Sequence, residues 1–147
     1  DAKDDPANSV ENIKRGLEKL IAKGARHLVV FNNFDLTLSL GYGPKTESHA
    51  LVPTVKRLTQ EFNAGLYKML FDASNGLVQE HPEVELYFVD IDAFMDVYVE
   101  KHDFADAPWR GSYAFPDPEE FLWYDEWHPM TQCHREIAAM VHETLQK

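Results

Sequence analysis

The segment HLVVFNN, residues 27–33, carries the signal that decides the fold. It is an apolar run of strand length without polar alternation, which predicts a strand buried on both faces, as in a parallel sheet flanked by helices. VELYFVDI, residues 84–91, has the same character and predicts a second buried strand. Around both segments the apolar residues change to helical spacing, so strands and helices are expected to alternate along the chain.

Two helices are predicted before the second strand. Ser9 can cap the first, whose apolar residues recur every three or four positions until Gly24 stops it. Residues 34–50, which follow the first strand, form a loop. Pro53 suits the first turn of the second helix, whose apolar line is expected to continue as far as Val78.

Two further helices are predicted after the second strand. DAFMDVYVEKH, residues 92–102, predicts a short helix, and the last helix opens at Thr131 or the nearby Pro129. The residues expected to face inward on the last helix are Ile137, Met140, Val141 and Leu145. The order α, β, α, β, α, long loop, α implies crossover connections, and therefore an α/β layered fold with a parallel sheet in one domain spanning residues 1–147.

The composition restricts the classes of function. With 147 residues, 44% of them hydrophobic, the chain has the size and composition of one globular domain. A formal charge of −11 would repel a phosphate backbone, so nucleic acid is not expected as a partner. No apolar run reaches the ~18 residues of a membrane-spanning helix, so no transmembrane segment is expected. The single Cys133 can be a buried thiol, a reactive thiol or a bridge to another chain.

WYDEWHP, residues 123–129, holds the one D-x-x-H pair of the sequence, Asp125 and His128. In a tight segment bounded by proline, a carboxylate three residues back can contact the imidazole Nδ1 and leave Nε2 free as a general base. The pattern is common by chance, so a second interpretation stays open, in which Asp125 caps a turn and His128 packs between its two neighbours. A metal site of Asp125, His128 and His134 is less favoured, because metal sites usually show a tighter cluster.

A hydrolase built on this pair also needs a nucleophile. The serines are Ser9, Ser39, Ser48, Ser74 and Ser112. None of them lies in G-x-S-x-G or at the end of a convincing strand. Ser112, after Gly111, is the least unfavourable, although its irregular loop indicates an ordinary turn residue.

The three tryptophans, Trp109, Trp123 and Trp127, fall close together in the irregular segment before the last helix. Their expected role is to hold a long loop against the body of the domain. A few of the aromatic residues in this segment could instead line an acyl pocket or contact lipid. Trp123 and Trp127 are the candidate substrate contacts.

Four stretches of the sequence resemble, in order, the C-terminal part of the GDSL (SGNH) lipases and esterases. YDEWHPMTQCHREIA, residues 124–138, is similar to that family's closing block, in which an Asp and a His three apart lead into a proline and a closing helix. The stretches similar to its preceding elements are VENIKRGLEKLIAKGARHLVVFNNFDLTLSLG (10–41), LTQEFNAGLYKML (58–70) and VELYFVDIDAFMDVYV (84–99). Phe34 stands where a Pro is common and Met130 intervenes in the usual His-Pro-Thr, but neither departure removes Asp125 or His128.

The resemblance implies that this chain is the C-terminal half of a three-layer α/β/α SGNH-hydrolase domain. The family's Gly-Asp-Ser, oxyanion glycine and Gly-x-Asn-Asp blocks lie upstream of the first helix and are not in these residues. DAKDDPANS, residues 1–9, has neither an initial Met nor the regions of a signal peptide. We therefore expect an internal cut, by proteolytic processing or truncation, with the nucleophilic serine on a separate N-terminal chain.

The resemblance further implies a secreted or periplasmic serine ester hydrolase that uses no cofactor and no metal. His128 would be its general base and Asp125 the orienting acid, acting on lipid or other ester substrates. The chain is most similar to the bacterial branch of phospholipases, lysophospholipases and glycerophospholipid–cholesterol acyltransferases. The alternative is a non-catalytic interaction or lipid-binding domain in which the Asp125–His128 pair is inert.

Overall fold

The computed structural model describes residues 5–43, 49–109, 111 and 116–146. These residues form a mixed α/β fold with five helices and a two-stranded parallel sheet. The elements are α1 (Pro6–Ala22), β1 (His27–Phe31), α2 (Val52–Phe71), α3 (Leu77–Glu80), β2 (Glu85–Val89), α4 (Ile91–Lys101) and α5 (Thr131–Thr144), with 3-10 turns at Leu36–Leu38, Leu40–Tyr42 and Pro118–Glu120. None of these helices combines the length and the apolar character needed to cross a membrane.

The two strands pair in parallel, in a register that runs from His27 opposite Glu85 to Phe31 opposite Val89. The parallel pairing predicted from the sequence is thereby confirmed for β1 and β2. Parallel neighbours need a crossover between the end of one strand and the start of the next. The chain makes that crossover through α2 and α3, so both strands end at the same edge of the sheet.

The prediction that the first strand is buried on both faces is wrong. Leu28 and Val30 are buried, whereas 39% of Val29 and 42% of Phe31 is exposed. Side chains of a strand alternate between its two faces, and the core residues of α1 and α2 pack against one of them. In the part of the chain that the structure describes, the opposite face of β1 is open to solvent. β2 is better covered, with Val89 buried and the three residues before it half-buried.

The first core cluster joins the sheet to α1 and α2. Leu66 and Leu70 of α2 have no exposed surface, and Leu17 and Ile21 of α1 pack in the same cluster. These are positions whose three- and four-residue spacing predicts the two helices. The apolar faces of both helices therefore cover the face of the sheet that carries Leu28 and Val30.

The first helix begins earlier than predicted and ends where predicted. The Asp5 carboxylate accepts the N–H of Ala7 at 2.9 Å and caps α1, whereas Ser9 lies exposed inside the helix. A carboxylate next to free N–H groups is a strong cap, and Pro6 after it suits the first helical position. The stop at Gly24 is confirmed, because Gly24 has a φ of 101° that favours glycine.

The second helix ends at Phe71 and does not continue to Val78. The Asp72 carboxylate accepts the N–H groups of Ser74 and Asn75 at 2.9 and 3.3 Å. Such local side-chain bonds compete with helical hydrogen bonds and favour a turn. The apolar residues beyond this turn form the separate short helix α3.

A second core cluster joins α4, α5 and the segment that precedes α5. Met95 and Cys133 have no exposed surface, and their sulfur atoms lie 3.7 Å apart. Cys133 is therefore a buried thiol, one of the three states left open by the sequence, and burial raises its pKa to about 11. The start of α5 at Thr131 is confirmed, but Leu145, expected to face inward, lies past the end of the helix and is 45% exposed.

We expect Leu66→Ala to lower the free energy of unfolding by about 2–5 kcal/mol, because it leaves a cavity among fully buried side chains. Leu20→Ala is the matched control, since Leu20 is 52% exposed on α1 and its substitution should cost less than about 0.5 kcal/mol. Urea denaturation of both variants measures the difference. Equal losses would contradict the assignment of the first core cluster.

Candidate active site

The 123–129 loop is a narrow turn closed by main-chain contacts. Trp123 and Pro129 form an isolated antiparallel bridge, and the N–H of Tyr124 donates to the carbonyl of His128 at 2.8 Å. One residue further out, the N–H of Met130 donates to the carbonyl of Leu122 at 2.8 Å. The two sides of the turn are thus held together at its base, and residues 125–128 lie at its tip.

Asp125 contacts both the main chain of the tip and the imidazole of His128. Its Oδ1 accepts the N–H of Trp127 at 2.7 Å and that of His128 at 2.8 Å. The Nδ1 of His128 lies 2.7 Å from Oδ2 and 2.9 Å from Oδ1. The contact that the D-x-x-H spacing predicts is therefore present, and so is the turn cap of the second interpretation. One carboxylate makes both.

These hydrogen bonds determine the charge of Asp125. The N–H of Trp127, followed by the bond to the His128 side chain, lowers the pKa of Asp125 from 3.8 to about 2. The carboxyl is therefore ionised at neutral pH and can only accept hydrogen bonds. Nδ1 of His128 must then carry the hydrogen, which leaves the lone pair of the neutral ring on Nε2.

His128 itself is open to solvent, with 74% of its side chain exposed. The idea that it packs between its two neighbours is therefore wrong. An exposed Nε2 with a free lone pair is accessible to the hydroxyl of another molecule or chain. This arrangement suits proton transfer at Nε2.

The three-residue metal site considered from the sequence is not formed. Among the described residues, no three His, Cys, Asp or Glu side chains are grouped closely enough to hold a metal ion. Asp125 and His128 contact each other, while His134 lies exposed on the first turn of α5.

Three of the five serines lie in the described parts of the chain. The hydroxyl of Ser39 donates to the carbonyl of Leu36 at 2.9 Å, and the residue is buried. Ser9 is exposed on α1, and Ser74 is exposed in the turn after α2. Ser48 and Ser112 lie outside the described residues. No hydrogen bond joins the His128 imidazole to Ser9, Ser39 or Ser74.

The two candidate substrate contacts occupy different environments. Trp123 is 3% exposed and packs in the second core cluster, with its ring centroid 6.2 Å from that of Phe34. Trp123 therefore holds the loop against the domain and is not available to a substrate. Trp127 is 51% exposed next to His128, and Tyr42 packs edge-on against it at 5.4 Å. Only Trp127 of the two could contact a ligand at His128.

A polar network at the ends of the two strands was not predicted. The Asn32 side chain donates to the Asp90 carboxylate at 2.7 Å, and the N–H of Asp92 donates to the Asn32 side chain at 3.2 Å. Asn63 of α2 donates to the Asp92 carboxylate at 3.2 Å, while burial raises the Asp92 pKa. Asn32 and Asp90 each follow a strand directly, and that position could have identified the network, because parallel strands end at one edge.

Comparisons with known proteins add no family to this geometry. No family model matches the sequence, and no curated protein matches it. The resemblance to the GDSL (SGNH) family therefore rests on the quoted stretches of sequence alone.

We expect Asp125 to titrate near pH 2 in the folded protein and His128→Ala to raise that midpoint, because the side-chain hydrogen bond is removed. The midpoint should stay below 3.8, since the N–H of Trp127 remains. Carbon-13 NMR of the carboxyl groups against pH measures both values. His27→Ala, which removes an exposed histidine paired with Glu85 on the sheet, is the control and should leave the midpoint unchanged.

The lowered pKa also sets the sign of a stability effect. A carboxyl whose pKa is lower in the folded state stabilises that state above its ordinary pKa, and this contribution is lost as the pH falls from 3.8 through about 2. In this window the free energy of unfolding should decrease more steeply for the native protein than for Asp125→Asn. Equal slopes would contradict the hydrogen-bonded carboxylate.

Proposed function

We propose that this chain supplies the general base, His128, and its orienting acid, Asp125, to a serine ester hydrolase of the GDSL (SGNH) type. The nucleophilic serine and the oxyanion donors belong to a partner, the N-terminal chain of the same enzyme. The observation that carries the proposal is the 2.7 Å contact between Asp125 Oδ2 and His128 Nδ1, with Nε2 directed away from that contact on an exposed ring.

The proposed reaction uses Nε2 of His128 twice. It first accepts the proton of the partner's serine hydroxyl while the serine oxygen bonds to the ester carbonyl carbon. As the carbon–oxygen bond to the alcohol breaks, the imidazolium returns the proton to the leaving oxygen. Water, or a second alcohol in the acyltransferase case, then repeats both steps on the acyl-serine. The Asp125 carboxylate stabilises the imidazolium and keeps the hydrogen on Nδ1.

The edge of β1 that faces away from β2 supports a partner that completes the sheet. The main chain of Arg26 and that of Asn32 hydrogen-bond to β2 at 2.7 and 3.3 Å, so even-numbered residues of β1 turn their main chain towards β2. The main-chain groups of His27, Val29 and Phe31 point away from it, and no described strand pairs with them. A strand of the partner would pair with this free edge. Because parallel sheets are normally covered on both faces, a helix of the partner would cover the exposed face that carries Val29 and Phe31. In this proposal the described fold is half of a three-layer α/β/α domain.

The surroundings of His128 favour an ester with an apolar part. Trp127 presents half of its surface beside the imidazole, and its indole gives an apolar contact for an acyl chain. We extend the proposal to lipid esters of the phospholipase and lysophospholipase kind, handled outside the cytoplasm as in the secreted or periplasmic enzymes of that branch.

A fluorophosphonate probe tests the division of the site between two chains. In the complex isolated from native material, intact-mass analysis should find a second chain that carries the label, with this chain unmodified. His128→Ala should abolish ester turnover without dissociating the complex, whereas His134→Ala, an exposed histidine outside the pair, should not. Labelling of Ser112 in the isolated chain would overturn the proposal.

The exposed face of β1 gives a separate test of the partner. Val29→Asp should weaken binding of the serine-bearing chain at least about tenfold, since burial of a Val side chain contributes roughly 1.5–3 kcal/mol. Leu20→Asp is the control and should leave binding unchanged, because Leu20 is 52% exposed on α1, whose core residues pack against the sheet face opposite to Val29. Sedimentation of each variant with the partner measures the affinity. Equal affinities would place the partner elsewhere.

One observation favours the alternative of a lipid-binding domain with an inert pair. A cleft of about 940 Å³ beside α4 and α5 is lined by apolar side chains such as Phe94 and Val97 together with charged ones such as Lys101, and no residue of the 123–129 loop contributes to it. Clefts of this size hold small ligands. An unaltered hydrolysis rate after Asp125→Asn, with loss of fatty-acid binding after Val97→Asp, would favour this alternative.

A further inference from the structure

The tip of the 123–129 loop is attached to the 3-10 turn at Leu40–Tyr42 at two points. The N–H of Gly41 donates to the carbonyl of Glu126 at 2.8 Å. The indole of Trp127 lies directly over Gly41 and meets the ring of Tyr42 edge-on at 5.4 Å. Both attachments involve residues between Asp125 and His128, which carry the proposed chemistry.

Position 41 requires glycine because the Trp127 ring occupies the space of a side chain. A Cβ at this position would overlap the Trp127 ring, so the indole occupies the volume that any other residue would fill. The described glycines with positive φ are Gly24, Gly43 and Gly111, and Gly41 is not among them. The absence of a side chain at Gly41 therefore serves the approach of Trp127.

The attachment continues into the Asp125–His128 pair through the main chain. The N–H groups of Trp127 and His128 both donate to Asp125 Oδ1. That arrangement directs Oδ2 at Nδ1 of His128. Without the indole over Gly41, the main chain of Trp127 loses that attachment, and its N–H no longer holds the carboxylate in a fixed orientation towards the imidazole.

Burial does not fix the tip of the loop. His128 is 74% exposed, Trp127 is 51% exposed and Tyr124 is 48% exposed. Local hydrogen bonds and the contact with Gly41 and Tyr42 therefore determine where the imidazole stands. Misplacement of a catalytic group by about 1 Å can cost about 100-fold in rate.

We propose that Gly41 is a positioning residue for His128: it admits the Trp127 indole and binds the Glu126 carbonyl, and so fixes the tip that orients Asp125 against the imidazole. The effect on catalysis rests on the proposed function, whereas the effect on the imidazole does not. The ring of Tyr42 also packs edge-on against Trp127 and completes the contact.

The tautomer of His128 tests the positioning role of Gly41 directly. In long-range proton–nitrogen NMR spectra of the full chain, Gly41→Ala should shift the His128 ring nitrogens and reduce the fraction with hydrogen on Nδ1. Gly16→Ala is the matched control, because a Cβ at Gly16 meets no atom within 4 Å, and it should leave the ring unchanged. The urea midpoint of Gly41→Ala should stay close to that of the native chain, since Trp127 can turn into solvent. A shift of the ring without loss of stability separates positioning from a merely structural role.

Trp127→Ala provides a second test that remains usable if Gly41→Ala does not fold. Without the indole, adding Gly41→Ala should cause no further change in the His128 spectrum. An unchanged spectrum in Gly41→Ala, or an equal effect of Gly41→Ala with and without Trp127, would overturn the proposal. In the complex, Gly41→Ala should lower kcat about 100-fold and change KM little. If the spectrum shifts and no ester is hydrolysed by any variant, the proposed function fails while the positioning role stands.

Discussion

Parallel pairing of β1 with β2 forces the chain to cross over between the strands, because both must run in the same direction. The crossover carries α2 across one face of the sheet, and it brings the ends of both strands to one edge. Asn32 and Asp90 meet there, and α4 begins immediately beyond them. The 3-10 turns that follow β1 leave from the same edge and reach the tip of the 123–129 loop. Strand direction thus places the 3-10 turn that contacts the candidate site.

The Asp125 carboxylate shows how a turn and a candidate site can share one group. Its Oδ1 satisfies two main-chain N–H groups of the tip, and its Oδ2 lies against the imidazole. The same bonds hold the carboxyl ionised and specify the tautomer of His128. A short side chain is suited to this double contact, because it reaches both groups from within the turn. The turn cap and the contact with the imidazole are therefore compatible, although His128 does not pack between its neighbours.

Sequence periodicity predicted the helices and strands because it reports which residues suit a buried face. Leu66 and Leu70 lie where their spacing places them, and the two apolar runs pair in parallel. The same signal failed for Val29 and Phe31. An apolar run indicates that a strand is suited to burial, but it does not indicate which segment, if any, covers each face. The end of α2 was missed because a local bond of Asp72 competes with the helix. The spacing within D-x-x-H predicted the Asp125–His128 contact, but Gly41 and Trp127 are far apart in sequence, and no local pattern records their approach.

The edge of β1 that no strand of the described residues pairs with has a kinetic consequence for the chain in solution. An apolar strand edge with unpaired main-chain groups accepts any extended segment of suitable pattern, including the same strand of another copy. Self-addition is second order in the concentration of this chain, whereas folding of a single chain is first order. Self-association therefore gains on folding of the single chain as the concentration rises. A chain with this edge is best folded in dilute solution.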